Sequence, residues 1–336
     1  MTSSESMLRA AVATTLVLAA TTFACSRSKI SESAPAPIGS TVVASPRSEP
    51  FDAGSLSVGG PAPARVVAIG DLHGDLEATR NVLLLAGAID SKDAWVGGDL
   101  VVVQTGDEID RADEDRKVLD LFERLKSDAE RSGGRVIALL GNHEVMNATF
   151  DFRYVTPGAF AEFDGVTTTR PEVSSELAKM EKSQRGRGAA FGPGGPYATM
   201  LASRPVVARV GDTVFVHGGI VPRHVRYGLD RINAEAGAWF RGSGTPPPAP
   251  LVEETGPLWN RIYSAAPGKE ECDVLAETLT MLNAKRMVVG HTVQKPRIAP
   301  TCDGKAWRID VGMSRAYGGP IQALEIRGDE VRVLER

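Results

Sequence analysis

Five short runs of apolar, mostly β-branched residues each end in polar residues of the types that bind metal ions. The polar segments that follow these runs are GDLHGD (70–75), GDEIDR (106–111), GNHE (141–144), VHGG (216–219) and VGHT (289–292). Four of the five histidines of the chain lie in these segments. A turn or a buried histidine would explain any one segment alone. Because strand ends in an α/β sheet converge on one edge, where sites form, the five together predict a single polar site.

The order of the periodic segments predicts a mixed α/β fold. Helical patterns separate the early strands, and the first of them follows Asp75, a residue typical of a helix N-cap. Hairpins are predicted later in the chain, at 211–212 and 328–329, where Gly-Asp pairs interrupt apolar runs. This alternation favours βαβ units in a mainly buried sheet, with more antiparallel character toward the C-terminus.

The first 62 residues are predicted to lie outside the folded domain. Residues 1–25 contain one arginine, an apolar stretch and then Cys25, a pattern typical of a secretory signal peptide. Two interpretations stay open, a lipoprotein signal with lipid on Cys25 and a cleaved signal without an anchor. Residues 26–62 are rich in Ser, Pro, Ala and Gly, which predicts a disordered tether before a folded domain at 63–336. We expect an exported protein that is periplasmic or held at a membrane by its lipid.

Composition and charge exclude some classes of function. The chain has 42% apolar residues, 24% charged residues and a net charge of −4, so no polybasic surface for nucleic acid is expected. The absence of a cysteine cluster argues against a structural zinc or iron–sulfur site. In an exported protein, Cys272 and Cys302 are candidates for a disulfide, although nothing in the sequence fixes their separation. The oligomeric state is not indicated.

The five polar motifs, in this order, resemble those of metallophosphoesterases of the calcineurin-like fold, and within them the phosphoprotein phosphatases. The segments GPLWNR (256–261) and DVGMSRAYGG (310–319) are similar to those of Shewanella-like bacterial phosphatases. The resemblance implies an α/β (α+β) four-layer β-sandwich flanked by helices, with 63–336 as the catalytic domain. The chain lacks the SAPNYC segment of the eukaryotic Ser/Thr enzymes and has Ala112 where they have glycine. These departures argue against a eukaryote-like Ser/Thr specificity.

The resemblance also implies two divalent metal ions. Asp71 and His73, which point to the same side of an extended backbone, would hold one ion together with Asp107. Asp107 would bridge to a second ion, whose further ligands would be Asn142, His217 and His291. Imidazole and carboxylate ligands suit manganese, iron or zinc. Such a pair would activate a bridging hydroxide for direct attack on a phosphate, without a covalent enzyme intermediate.

Five other residues are candidates for catalysis and substrate binding. His143 is the expected general acid for the leaving oxygen, and Asp110 would hold its imidazole in the charged form. Arg111 and Arg261 offer planar guanidinium groups to phosphate oxygens. Tyr317 is expected to line the site on the strength of the resemblance alone.

Two features lie outside these motifs. His224 matches none of them and is expected to fill the core or the surface. The interval between His143 and His217 is basic, with Arg170, Lys179, Lys182, Arg185 and Arg187. We expect a solvated helix and loop there, and the alternative is a cover over the site that selects the substrate.

Taken together, the residues predict a metal-dependent phosphomonoester hydrolase. Within the resemblance, a protein phosphatase with a tyrosine preference is expected, and the substrate would be a phosphorylated protein. The alternative is a small-molecule phosphatase or a dinucleoside polyphosphate hydrolase. A third hypothesis, a non-catalytic phosphate-binding protein, conflicts with the complete set of candidate ligands. Membrane contact is expected only through the lipid anchor.

Overall fold

The computed structural model describes residues 63–244 and 246–335. The predicted signal peptide, Cys25 and the predicted tether at 26–62 lie outside the described residues. None of the helices in the described part of the chain has both the length and the apolar character that a membrane span requires.

Strands and helices alternate along the described residues. The strands are β1 (Val66–Ile69), β2 (Val101–Gln104), β3 (Arg135–Ala138), β4 (Val207–Val210), β5 (Thr213–Val216), β6 (Arg286–Val289), β7 (Ala299–Thr301), β8 (Ala306–Arg308), β9 (Gln322–Arg327) and β10 (Glu330–Glu335). The helices are α1 (Leu76–Leu85), α2 (Asp115–Arg131), α3 (Asn142–Ala148), α4 (Pro157–Ala161), α5 (Pro171–Ala178), α6 (Lys182–Phe191), α7 (Pro196–Leu201), α8 (Pro222–Tyr227), α9 (Leu229–Phe240), α10 (Ala249–Val252) and α11 (Lys269–Met281).

The strands form two five-stranded mixed sheets, in the orders β10-β9-β1-β2-β3 and β4-β5-β6-β8-β7. In the first sheet β1, β2 and β3 run parallel, and the antiparallel β9–β10 hairpin joins at β1. In the second sheet β5, β6 and β8 run parallel, and β4 and β7 are the antiparallel edges. The predicted mixed α/β fold and both predicted hairpins are confirmed. Strand β7 was not predicted, because its three residues include a proline and show no alternation.

Burial explains why the apolar runs form these strands. Every residue of β1, β2, β5 and β6 is buried, as expected for parallel strands that are covered on both faces. Helix α1 begins where the sequence predicts, because the Asp75 side chain accepts a hydrogen bond of 3.0 Å from the Ala78 N–H. Helix α2 packs on the first sheet through a buried apolar face that includes Val118, Phe122 and Leu125.

Strand direction positions the site. Because β1, β2 and β3 are parallel, the loops that follow them leave the first sheet at one edge, and the loops after β5, β6 and β8 likewise leave the second sheet at one edge. The polar motifs occupy the first five of these loops.

A disulfide joins Cys272 on α11 to Cys302 after β7, with the two Cα atoms 5.2 Å apart. The two cysteines are 30 positions apart in the sequence. The sequence had left this pairing open, and the structure supplies the proximity that pairing requires.

Candidate active site

The loops at the strand ends surround a cleft of about 230 Å³. Eight of the predicted site residues line it, namely His73, Asp107, Arg111, Asn142, His143, Arg261, His291 and Tyr317. The other three, Asp71, Asp110 and His217, are buried at 1%, 0% and 0% exposure. Asp151, Arg153, Tyr154, Trp259 and Asp310 also line the cleft and were not assigned a role from the sequence.

The Asp107 carboxylate lies at the centre of the histidines. Its Oδ2 atom is 3.3 Å from Nε2 of His217, 3.8 Å from Nε2 of His143 and 3.9 Å from Nε2 of His73. Two groups of three ligand atoms, each within 4.8 Å of one another, could hold a metal ion. The groups are His73, Asp107 and His143, and Asp107, His217 and His291. Asp107 is common to both.

Backbone carbonyls orient three of the histidines. His73, His217 and His291 each place one ring nitrogen against a main-chain oxygen. The partners are the carbonyls of Ile109 at 3.1 Å, Thr105 at 2.9 Å and Trp259 at 3.1 Å. A nitrogen that donates to a carbonyl leaves the other ring nitrogen with its lone pair free, here Nε2 of His73 and His217 and Nδ1 of His291. These are the nitrogens that face the cluster.

The charge state of the cluster favours cations. Burial lowers the pKa of His73 to about 3 and that of His291 to about 2, so both are neutral and able to coordinate at neutral pH. Burial, Asp310 and Asp107 raise the pKa of Asp71 well above its usual value. Burial is also the main reason why the pKa of Asp310 rises to about 6. Neighbouring carboxylates that repel each other in this way are stabilised by a divalent cation, so the donor set fits metal ions.

Two glycines make room for the carboxylates. A Cβ atom on Gly290 would lie 2.4 Å from Oδ1 of Asp71, and one on Gly141 would lie 2.1 Å from Oδ1 of Asp107. The Asp71 carboxylate also accepts a hydrogen bond from the His291 N–H, at 3.1 Å. The glycines of the GNHE and VGHT motifs are therefore required by close approach.

His143 differs from the other three cluster histidines in its partner. Its Nδ1 atom lies 2.7 Å from Oδ2 of Asp110, so a carboxylate rather than a carbonyl orients the ring. Burial acts to lower the pKa of His143, but Asp107 and Asp110 outweigh it and raise this pKa. Burial acts to raise the pKa of Asp110, but the hydrogen bond to His143 and the charge of Arg187 lower it. The pair therefore favours a charged imidazolium.

Arg187 lies behind this pair, which corrects the expectation of a solvated basic segment. Lys179, Lys182 and Arg185 are exposed, but Arg187 on α6 is completely buried. Its guanidinium lies 2.8 Å from Oδ1 of Asp110 and 2.7 Å from Oδ2 of Asp115. It also donates to Oδ1 of Asn147 at 2.6 Å, and Asn147 donates to Asp110 at 3.0 Å. Nothing in the sequence distinguishes Arg187 from the other four basic residues of this interval.

Arginines and tyrosines form the outer wall of the cleft. The Arg111 guanidinium carbon lies 4.2 Å from the ring centre of Tyr154 and 5.2 Å from that of Tyr317. Its Nε atom is buried and has no hydrogen-bond partner among the described residues. Arg261 is exposed and donates to the His291 carbonyl and to Oγ1 of Thr292, both at 2.7 Å. Arg111 thus retains a donor for a bound anion.

Backbone strain concentrates at the cleft. Of the eleven non-glycine residues with positive φ in the described ranges, five belong to the predicted site. They are His73 (49°), Asp107 (59°), Asp110 (72°), Arg111 (69°) and His291 (67°). Such conformations cost of order 1–3 kcal/mol each and typically persist where surrounding contacts enforce them. One such contact is Glu144, whose carboxylate accepts the N–H groups of Asp107, Glu108 and Gly141 at 2.7–3.1 Å.

His224 lies apart from the cleft. It is 5% exposed, and its Nδ1 atom accepts a hydrogen bond of 3.2 Å from the Val221 N–H at the start of α8. This agrees with the expected structural role.

Comparison with known proteins identifies the family. The calcineurin-like phosphoesterase family matches residues 64–295. The chain belongs to the calcineurin-like phosphoesterase family. This calcineurin-like phosphoesterase is 40% identical over 306 residues to Shewanella-like protein phosphatase 2 of Arabidopsis thaliana, covering 81% of the chain and 78% of the relative. The resemblance that the motifs predict is thus confirmed, and the protein is a hydrolase of the metallophosphoesterase type.

Two further relatives support the same family assignment. Shewanella-like protein phosphatase 1 of Plasmodium berghei is 28% identical over 267 residues, covering 76% of the chain and 69% of the relative. The crystal structure of a cold-active protein tyrosine phosphatase of a psychrophilic Shewanella species superposes with a TM-score of 0.61 at 25% identity. That match covers 82% of this chain and 81% of the Shewanella chain.

Proposed function

We propose that this calcineurin-like phosphoesterase is a metal-dependent protein phosphatase with a preference for phosphotyrosine. The observation that carries the proposal is the Asp107 carboxylate, which is shared by two groups of potential metal ligands at the floor of an open cleft. A protein substrate is supported by the names of the relatives in Arabidopsis and Plasmodium and by the similarity to the tyrosine phosphatase from Shewanella.

The proposed metal site takes its ligands from both sheets. Asp71, His73 and Asp107 would hold one divalent ion. Asp71 here replaces His143 of the first observed group, because Nδ1 of His143 is engaged with Asp110 and His143 is the proposed proton donor. Asp107 would share the second with the remaining predicted ligands, Asn142, His217 and His291. The amide Oδ1 of Asn142 lies 2.9 Å from Nε2 of His217, so these two donors face one point. Two divalent cations there would supply Lewis acidity toward phosphate oxygens and an activated water. The donors suit manganese, iron or zinc, and we propose manganese as the first to test.

The chain's own residues then bind the phosphate and move a proton. Arg111 and Arg261 both line the cleft, where their guanidinium groups would bind phosphate oxygens. His143 would donate the proton on Nε2 to the leaving oxygen, because its Nδ1 is engaged with Asp110. Arg187 and Asn147 fix Asp110 from behind, so the ring keeps one orientation. Tyr317, next to Arg111, would line the bound phosphoester.

Export is proposed from the N-terminal sequence. The disulfide between Cys272 and Cys302 supports an oxidising compartment such as the periplasm. Intact mass of protein purified from its natural host distinguishes a lipid-modified Cys25 from an unmodified N-terminus.

The substrate class is tested by steady-state kinetics on matched substrates. The substrates are one peptide carrying phosphotyrosine, the same peptide with phosphoserine, and a dinucleoside tetraphosphate, each assayed with manganese. We expect the highest kcat/KM for the phosphotyrosine peptide. Hydrolysis of the dinucleoside tetraphosphate with neither peptide cleaved would replace this proposal by the small-molecule alternative.

A further inference from the structure

Two tyrosines line the cleft, and the Arg111 guanidinium lies close to both of their rings. Tyr154 and Tyr317 are 38% and 37% exposed, so each presents part of its ring to solvent. Tyr154 lies beside His143, with ring centres 5.1 Å apart and planes inclined by 35°. Tyr317 lies beside His73, with ring centres 5.5 Å apart. The ring of Tyr154 thus packs against the ring of the proposed acid, and the ring of Tyr317 packs against that of a proposed metal ligand.

The position of Tyr154 is fixed by the backbone as well as by its ring. The Arg111 N–H donates to the Tyr154 carbonyl at 2.9 Å, which ties the loop after α3 to the GDEIDR loop. The Arg111 guanidinium then covers the ring at 4.2 Å, a distance typical of a cation–π contact. A rigid aromatic side chain that remains partly exposed loses little conformational entropy when it contacts a ligand.

The chemistry of the leaving group connects this ring to the substrate. A general acid must lie within hydrogen-bond reach of the oxygen it protonates, so the ester oxygen binds beside His143. The atoms attached to that oxygen are an aromatic ring in phosphotyrosine and a single methylene in phosphoserine. Aromatic rings pair favourably at centre separations of 4.5–7 Å. A phenyl group leaving at His143 departs beside a ring whose centre is 5.1 Å from that of Tyr154, whereas a methylene offers no aromatic face.

We propose that Tyr154 is a specificity-determining residue that selects aryl phosphate esters through contact with the leaving group. This inference rests on the proposed phosphatase function and names a residue that distinguishes aryl from alkyl phosphate esters. Tyr154 acts on the part of the substrate that differs between phosphotyrosine and phosphoserine. The metal ligands and Arg111 act on the phosphate, which is common to both.

The test is the ratio of kcat/KM for the phosphotyrosine peptide to kcat/KM for the matched phosphoserine peptide. Any effect of a substitution on phosphate binding cancels in this ratio. For Tyr154→Ala and Tyr154→Leu we expect the ratio to fall about two- to tenfold, the range expected for one aromatic contact. Tyr154→Phe keeps the ring and should retain the wild-type ratio. Tyr227→Ala is the control, because Tyr227 has the same 38% exposure but lies on α8 outside the cleft.

Metal content and inhibition by inorganic phosphate are measured on each variant. We expect metal content to match the wild type, and the phosphate inhibition constant reports any change that reaches Arg111, whose guanidinium contacts the Tyr154 ring. If Tyr154→Ala does not fold, Tyr154→Leu carries the test, since it keeps most of the side-chain volume. An unchanged ratio in the folded variants, or a fall as large in Tyr154→Phe, overturns the role of Tyr154 while the phosphatase function stands. A wild-type protein that cleaves neither peptide overturns the proposed function, and this inference with it.

Discussion

Nδ1 of His143 lies 2.7 Å from Oδ2 of Asp110, and both side chains are buried. The three other histidines of the cluster direct the corresponding hydrogen bond to backbone carbonyls. A carbonyl leaves the imidazole neutral and able to coordinate, whereas a carboxylate favours the protonated form. This difference in partner separates the proposed proton donor from the proposed ligands within one crowded cluster.

The first prediction concerns that proton donor. His143→Ala should slow phosphoserine hydrolysis about 10²- to 10⁴-fold, the usual contribution of general acid catalysis. The loss on phosphotyrosine should be smaller, because a phenol with a pKa near 10 leaves more readily than an alkoxide. Single-turnover rates on matched peptides and metal content measure both effects. Equal losses on the two peptides, with chemistry rate-limiting, would remove His143 from this role.

The second prediction concerns the buried arginine. Arg187→Met leaves the carboxylates of Asp110 and Asp115 without their guanidinium partner, and breaking a buried ion pair typically costs about 3–5 kcal/mol. Urea denaturation should show this loss in the free energy of unfolding. Arg185→Met is the matched control, because Arg185 lies on the same helix and is exposed. Similar stability for the two variants would contradict the structural role of Arg187.

The third prediction concerns acid stability. Burial acts to raise the pKa of Glu325, but hydrogen bonds from Arg332, Arg65 and Arg327 hold it at about 2. Because this pKa is lowered, the ionised Glu325 carboxylate stabilises the fold fully above pH 4.5, its ordinary pKa. This stabilisation is lost as the pH falls from there toward 2. Because Arg332 and Arg327 are about half exposed, solvent reduces the effect, and we expect about 1–2 kcal/mol.

The measurement for Glu325 is the free energy of unfolding of wild type and Glu325→Gln between pH 7 and pH 2. The difference between them should be largest at neutral pH and should vanish at the acid end. Glu330→Gln, on the exposed part of the same hairpin, serves as control. A difference that stays constant across this range would show that the ion pairs do not govern the acid response.

Much of the fold could be predicted because its signals are local. Strand β1 is apolar over all four residues, and β2 and β6 are apolar over three residues each. All three strands are followed by glycine-containing motifs, and Asp75 caps α1 as its position indicates. The polar motifs predicted one site at the strand ends, and eight of the eleven predicted site residues line one cleft. Two of these eight, Arg261 and Tyr317, lie in the segments that carry the family resemblance and not in the polar motifs. Each of these signals depends on residues that are close together in the chain, so it can be read from the sequence alone.

The features that sequence reasoning missed depend on contacts between distant parts of the chain. Arg187 and Asp110 are 77 positions apart, and nothing in a row of basic residues distinguishes the one that is buried. Asp310 follows an ordinary strand, and its importance arises from its proximity to Asp71. Tyr154 lies in a loop without periodicity, and its proposed role follows from its contacts with Arg111 and His143.

The fourth prediction concerns the disulfide. Linking Cys272 to Cys302 removes conformational freedom from the unfolded chain, and for a 30-residue separation the chain-entropy estimate is about 3.5 kcal/mol. The double variant Cys272→Ser, Cys302→Ser should unfold at lower urea, and reductant should destabilise the wild type but not the variant. Peptide mapping without reduction should find the two cysteines linked. Free thiols at both positions in protein from an oxidising compartment would be incompatible with this pairing.

The fifth prediction tests the metal centre, which is the central claim. Asp107→Asn removes one charge from the carboxylate shared by both ligand groups, so it should lower bound metal and activity together. Asp99→Asn, at an exposed position outside the cleft, is the control and should change neither.

The most direct measurement is the activity of wild-type protein after chelation, followed by titration with manganese while bound metal is determined by elemental mass spectrometry. We predict that the metal-free protein is inactive, that activity returns with bound metal, and that Asp107→Asn recovers little of either. Full activity in protein shown to be free of metal would contradict the account.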